Sequence, residues 1–134
     1  IPDAMSSRAL NEVMNEPSIR KTMSSMNKAD ILILGLGEAL EMARKRRVSD
    51  DVYKILVDKK AIAEAFGYYF DKDGNVVYES NLVGLGFEDL KRIPNIIAVA
   101  LGRKKALGIS AICRNLPEMT LVIDEGAANK ILKL

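Results

Sequence analysis

No histidine occurs among the 134 residues. Its absence excludes Ser-His-Asp chemistry, Cys-His chemistry and histidine-based metal sites from this chain. Cys113 is the sole cysteine, so no internal disulfide framework exists, and a reducing, cytoplasmic compartment is expected. An excess of one charge is also lacking. Twenty basic against 18 acidic residues leave a net charge of +2, so no global field drives binding to nucleic acid or membrane. No apolar run approaches the ~20 residues of a membrane span, and no secretory signal is visible. Internal repeats and low-complexity linkers are missing too. The chain starts at Ile1 rather than Met, and a fragment, domain or processed product is expected.

What is present fits a globular domain: 49% apolar and 28% charged residues are ordinary values, and the length suffices for one core. The organising stretch is Asp30–Arg47. Ile31–Leu34 is a short continuous apolar run, the pattern of a strand buried on both faces. Gly35-Leu36-Gly37 interrupts it, and Ala39, Leu40, Met42 and Ala43 are good helix formers behind Glu38. Strand, glycine turn and helix form a phosphate-cradling layout, in which free amides and the helix dipole favour an anion.

Around that stretch, helices are expected at 7–15 and from Pro17, the second with an Ile19–Met23–Met26 stripe read as core. Ser49 caps another helix. Residues 61–70 read as a strand interrupted by Glu64 and Gly67, and Tyr68–Phe70 pairs with Val76–Tyr78 across the polar turn 71–75. A short helix at 87–92, a buried strand at 96–101, a helix after Arg103-Lys104-Lys105, a strand at 120–123 and a helix from Asp124 complete the chain. Alternating strands and helices predict an α/β domain with a mostly parallel sheet and helices on both faces.

Several residues can carry chemistry. Gly35-Leu36-Gly37-Glu38-Ala39-Leu40 fails as a dinucleotide fingerprint, because Leu40 holds the third glycine position and no acidic residue ends a strand about 20 residues on. Arg44–Arg47 spreads right around a helix, so at most one or two of the four face a site, and a solvated face is the simpler reading. Lys105 follows a buried strand and Gly102, the place where open α/β sheets bind ligands. Glu64 interrupts an apolar strand, and a buried carboxylate needs a partner. A ligand hydroxyl, a cation or a basic side chain at the sheet edge would each serve. Cys113 reads as inert core.

The stretches NEPSI (15–19), GLGEALEMARKRR (35–47), AEAFGYYFDKDGNVV (63–77), FEDLKRIPNIIAVALGRKKA (87–106) and IDEGAA (123–128) together resemble the effector-binding domain of SorC/DeoR-type bacterial transcription regulators. The resemblance runs in order over nearly the whole chain, and within the family it is strongest to regulators of glycolytic genes. It implies a Rossmann-like three-layer α/β/α fold, similar to sugar-phosphate isomerases and deaminases but used for sensing. It implies a repressor whose phosphorylated-sugar effector, such as fructose bisphosphate, alters oligomerisation and operator affinity. No cofactor is implied. Glu64 is then expected to meet sugar hydroxyls, with Lys105 and either Lys45 or Arg46 at phosphate and Gly35, Gly37 and Gly102 as backbone contacts. The chain would be the C-terminal portion of that domain, with the helix-turn-helix and part of the ligand site upstream. A homo-oligomer, dimer or tetramer, is expected, without a membrane. The alternatives are a sugar-phosphate isomerase or deaminase with Glu64 as base and Lys105 as anchor, and a plain dimerisation module.

Overall fold

The computed structural model describes residues 5–134. Helix α1, Ser7–Asn15, starts where the Ser6 hydroxyl accepts a bond from the Ala9 amide at 3.2 Å. Helix α2, Pro17–Met26, follows with Pro17 in its first turn. Neither helix contains a buried residue. The Ile19–Met23–Met26 stripe expected as core is therefore only a margin: Met23 packs against the core, while Met26 is 39% exposed. Both helices lie outside the sheets, and their apolar side has only a partial cover.

Two sheets follow, not one. Strands β1 (Ile31–Gly35), β6 (Asn95–Ala100) and β7 (Thr120–Ile123) form a parallel sheet in the order β1-β6-β7. Strands β2 (Gly37–Glu38), β3 (Ala63–Ala65), β4 (Tyr68–Phe70) and β5 (Val76–Glu79) form an antiparallel sheet in sequence order. The expected mostly parallel sheet is thus corrected to a three-stranded parallel sheet beside a small antiparallel one. The interruption at Glu64 and Gly67 is a strand boundary: Phe66 (φ 55°) and Gly67 (φ 82°) make a two-residue hairpin loop between Ala65 and Tyr68. Two central residues at positive φ mark a type I′ turn, whose twist matches that of the flanking strands. The β4–β5 hairpin is as expected, with Gly74 at φ 88° and the Asp71 carboxylate accepting from the amides of Asp73 and Asn75.

The strand period sorts side chains between two cores. Ala63, Ala65, Tyr68 and Phe70 join Leu34, Ala98, Ala100, Ile109 and Ile112 in the main core. Tyr69, on the opposite face of the small sheet, packs with Ala39, Ala43, Leu56 and Ala61 under helices α3 (Ala39–Lys45) and α4 (Asp50–Asp58). The short helix α5 (Phe87–Leu90), helix α6 (Ala106–Cys113) and helix α7 (Glu125–Ile131) complete the chain. Cys113 packs against the edge of the main core, half-buried, and burial pushes its thiol pKa up. Among the described residues, no helix is long and apolar enough to cross a membrane.

Among the described residues, the parallel sheet is covered on one face only. Leu32 and Leu34 turn to the core, whereas Ile31 (58% exposed) and Ile33 (68%) turn away, as do Val99 and Val122. The expectation of β1 buried on both faces, with helices on both sides of the sheet, does not hold among the described residues. Its continuous apolar run reflects a second face that is apolar without being covered here.

Helices α3 and α4 end alike. In α3 the Val48 amide bonds the Ala43 carbonyl and the Arg47 amide the Arg44 carbonyl; in α4 Ala61 bonds Leu56 and Lys60 bonds Val57. These are Schellman closures, which place Arg47 (φ 52°) and Lys60 (φ 54°) in the left-handed region that favours glycine. Lys60 is exposed and buries nothing. Its strain, about 1–2 kcal/mol, exceeds the ~0.5–1 kcal/mol of extra chain entropy glycine brings, so Lys60→Gly is expected to raise stability by about 0.5 kcal/mol. Gly67→Ala is expected to lower it, because a Cβ there would stand 2.3 Å from Leu82 Cδ1 at positive φ. Urea midpoints of the two variants check this; a fall for Lys60→Gly would contradict the strain assigned to it.

Candidate functional site

A cavity of about 390 Å³ opens beside the carboxyl end of β1, between it and α3, with Lys105 entering its wall from beyond the end of β6. Gly35, Gly37, Lys45, Arg46, Glu64 and Lys105 all line it, together with Leu36, Glu41 and Phe66. Gly102 does not. Its φ of 103° is a glycine conformation, but its amide donates to Asp124 Oδ1 at 2.9 Å and so ties the end of β6 to α7.

The phosphate-cradling layout expected at Gly35–Gly37 is corrected here. Gly37 does not turn into a helix N-terminus; it enters β2 and pairs with Glu64. The Leu36 amide bonds the Val99 carbonyl, and the Ala39 amide bonds the Ile62 carbonyl. Sheet pairing thus takes up the amides of Leu36 and Ala39. Gly37 has another role: a Cβ there would meet Met42 Cγ at 2.4 Å and Glu64 Oε2 at 3.4 Å. The glycine leaves room for the carboxylate.

Glu64 is the one buried charged residue among those described, at 3% exposure. Its Oε1 accepts from Arg46 Nη2 at 2.8 Å and from the Gly67 amide at 2.7 Å. Each donor has a local cause. The type I′ turn carries the Gly67 amide back to the strand it left, and the Schellman closure holds Arg46 at the C-cap of α3, where the helix dipole favours a cation. Of the readings offered for Glu64, the pairing with a basic side chain is the one observed, and the paired carboxylate stands in the cavity wall.

Lys105, in a short 3₁₀ turn before α6, reaches back to donate to the Leu36 carbonyl at 3.0 Å. It brings an ammonium from the end of β6 to the chain leaving β1. Lys45 sits at the rim, 64% exposed, and pairs with Glu41 at 2.8 Å. Lys104 meets the other oxygen of Glu41 at 3.3 Å. Bonds from Lys45 and then Lys104 hold the Glu41 carboxyl below the usual carboxylate range. Such exposed pairs contribute little to stability. They keep Lys45 outward while Arg46 turns in. Glu41 and Phe66 were not singled out from sequence; the i,i+4 spacing of Glu41 and Lys45 was the available signal for the first.

A family model described as "Putative sugar-binding domain" matches residues 1–133. The chain belongs to this sugar-binding domain family. It is 40% identical over 133 residues to the central glycolytic genes regulator of Bacillus subtilis and 35% identical to that of Priestia megaterium. In both cases the match spans 99% of this chain and 39% of the relative, so the chain spans well under half the length of these curated relatives. A solved structure, "the putative SorC family transcriptional regulator from Enterococcus faecalis", superposes with a TM-score of 0.90 at 40% identity, over 98% of this chain and 54% of that one. These relatives of the sugar-binding domain are transcription regulators, not enzymes.

The Asp124 contact yields a pH prediction. Amide bonds from Gly102 and Ala127 hold its carboxyl below the usual range. A depressed folded-state pKa contributes stability above the unfolded pKa of about 4, lost as pH falls through the folded value. Unfolding monitored against pH is expected to show stability falling below about pH 4, with a shallower fall in Asp124→Asn. An unchanged acid limb in the variant would remove Asp124 from that linkage.

Proposed function

We propose that this chain is the C-terminal portion of a sugar-phosphate effector-binding domain in a bacterial transcription regulator, a cytoplasmic repressor of carbohydrate-metabolism genes. The effector is a phosphorylated sugar, with fructose bisphosphate the favoured candidate. Effector binding alters homo-oligomer assembly and, through it, the operator affinity of a helix-turn-helix outside this chain. The observation that carries this reading is the convergence of Arg46, Lys105 and buried Glu64 on one cavity. A phosphorylated polyol needs both functions: cationic donors for phosphate oxygens and a carboxylate acceptor for hydroxyls. Gly35 and Gly37 contribute room for backbone approach, and Lys45 a third cation, at the rim.

Two relatives carry the name of central glycolytic genes regulators, which supports a glycolytic effector. The longer relatives and the bare apolar face of the parallel sheet support a larger domain. The isomerase or deaminase reading has less behind it. The relatives named above are regulators, and Glu64 is engaged structurally, its Oε1 holding both Arg46 and the Gly67 amide.

Calorimetry and thermal shift on the intact protein test the reading with fructose 1,6-bisphosphate, other sugar phosphates and unphosphorylated fructose. The bisphosphate at 100 times its Kd is expected to stabilise by about 2.7 kcal/mol. Lys105→Ala is expected to weaken binding about 10- to 100-fold, the loss of one charge-assisted bond. No stabilisation by any phosphorylated sugar would sink the proposal.

A further inference from the structure

Tyr69 is fully buried, and its hydroxyl is the one buried side-chain polar atom among the described residues that lacks a hydrogen-bond partner. Phenylalanine would fill the same space without leaving a hydroxyl stranded, so the oxygen requires an explanation. Its place in the sheet supplies one. Tyr69 stands directly across from Glu64 in the β3–β4 register, and opposed residues of an antiparallel pair send their side chains to the same face. Tyr78 meets its ring edge-on at 5.8 Å, and Ala39, Ala43, Leu56 and Ala61 pack around it. That packing holds the hydroxyl away from solvent.

Burial pushes the phenol pKa up and the charge of Glu64 pushes it further, while the charge of Arg46 and the neighbouring Ser80 side chain, too far or misaligned for a hydrogen bond, oppose. The register places the Tyr69 side chain on the same face of the sheet as Glu64, whose cation is Arg46. The pair itself is lopsided. Both donors, Arg46 and the Gly67 amide, use Oε1, and Oε2 takes no bond from the described residues. Arg46 is also the accessible member, 21% exposed against 3%, and it lines the cavity. An anion entering there competes for its guanidinium. Drawing Arg46 off would leave a buried carboxylate with a single donor, a costly state unless another donor arrives.

We propose that Tyr69 is a positioning residue whose hydroxyl is the reserve donor to Glu64, engaged when an anionic group of a bound ligand draws Arg46 away. The identity of that ligand rests on the sugar-phosphate reading; the exchange of donors concerns three side chains of this chain. With Tyr69 and Gly67 both donating, Glu64 stays oriented toward the cavity while Arg46 serves the anion.

Two measurements on the intact protein test this. In the first, Tyr69→Phe is compared in the native and the Arg46→Met backgrounds. In the native background the melting temperature is expected to hold or rise, since only an unpartnered hydroxyl is lost. In the Arg46→Met background, where Tyr69 already serves Glu64, the same change is expected to lower it by several degrees. Equal effects in both backgrounds overturn the proposal, whether or not any sugar binds. In the second, Tyr69→Phe is expected to weaken fructose 1,6-bisphosphate binding about tenfold or more, while Tyr78→Phe leaves it unchanged. Wild-type binding retained in full by Tyr69→Phe overturns the reserve role. Absence of binding to the wild type overturns the effector reading instead, and the first measurement still decides the exchange.

Discussion

A carboxylate in the middle of a strand covered on both faces is the constraint around which this structure is arranged. Ala63 and Ala65 turn into the main core, so Glu64 between them must turn toward α3, where it is 3% exposed. Unpaired, such a group would cost several kcal/mol. Three local irregularities meet that demand. The left-handed pair Phe66-Gly67 curls one amide back to Oε1. The left-handed Arg47 closes α3 so that Arg46 reaches the same oxygen. The missing Cβ at Gly37 keeps the facing strand clear of Oε2. Each looks like a separate oddity of backbone or composition, and all three converge on one side chain.

The same constraint explains which parts of the chain were legible in its sequence. The Tyr68–Phe70 and Val76–Tyr78 hairpin was readable because Asp71–Asn75 is polar and Gly74 supplies the positive φ. The preceding hairpin was not, because Phe-Gly lacks the Asn or Asp that advertises a type I′ turn. Its two short strands therefore merged into one. Ile31–Leu34 was legible as a strand but misleading as to burial, since a uniformly apolar run carries no information about which face is covered. Gly37 was ambiguous for a related reason. A glycine needed to pass close to Met42 and Glu64 has the same letter as one needed to cradle phosphate, and only the sheet pairing of the neighbouring amides separates the two.

At the site, Glu64 and Lys105 stood out by a mechanism the structure retains: a charged residue where an apolar strand or its end should be. Choosing between Lys45 and Arg46 was beyond the sequence, because both lie in one basic run and their fates depend on partners remote in sequence. Glu41 draws Lys45 outward, and Glu64, 18 residues on, draws Arg46 inward. Gly102 was drawn into the candidate set by its position after a strand, yet its amide belongs to Asp124.

Every cation around the cavity is already engaged, Arg46 with Glu64, Lys105 with the Leu36 carbonyl and Lys45 with Glu41. On the proposed reading, a ligand must therefore exchange interactions rather than simply add them. A neutral sugar hydroxyl offers Arg46 or Lys105 a bond no stronger than the one it would replace. A phosphate offers charge-assisted, bidentate bonds roughly twice as strong as neutral ones, and it can win the exchange. On that reading the internal pairs act as a threshold that unphosphorylated sugars fail to cross. They also set the response. A ligand that merely filled the cavity would bind all arrangements of the protein alike and shift nothing, whereas one that re-partners Arg46 alters the contact joining the end of α3 to β3, and so discriminates between arrangements of the chain.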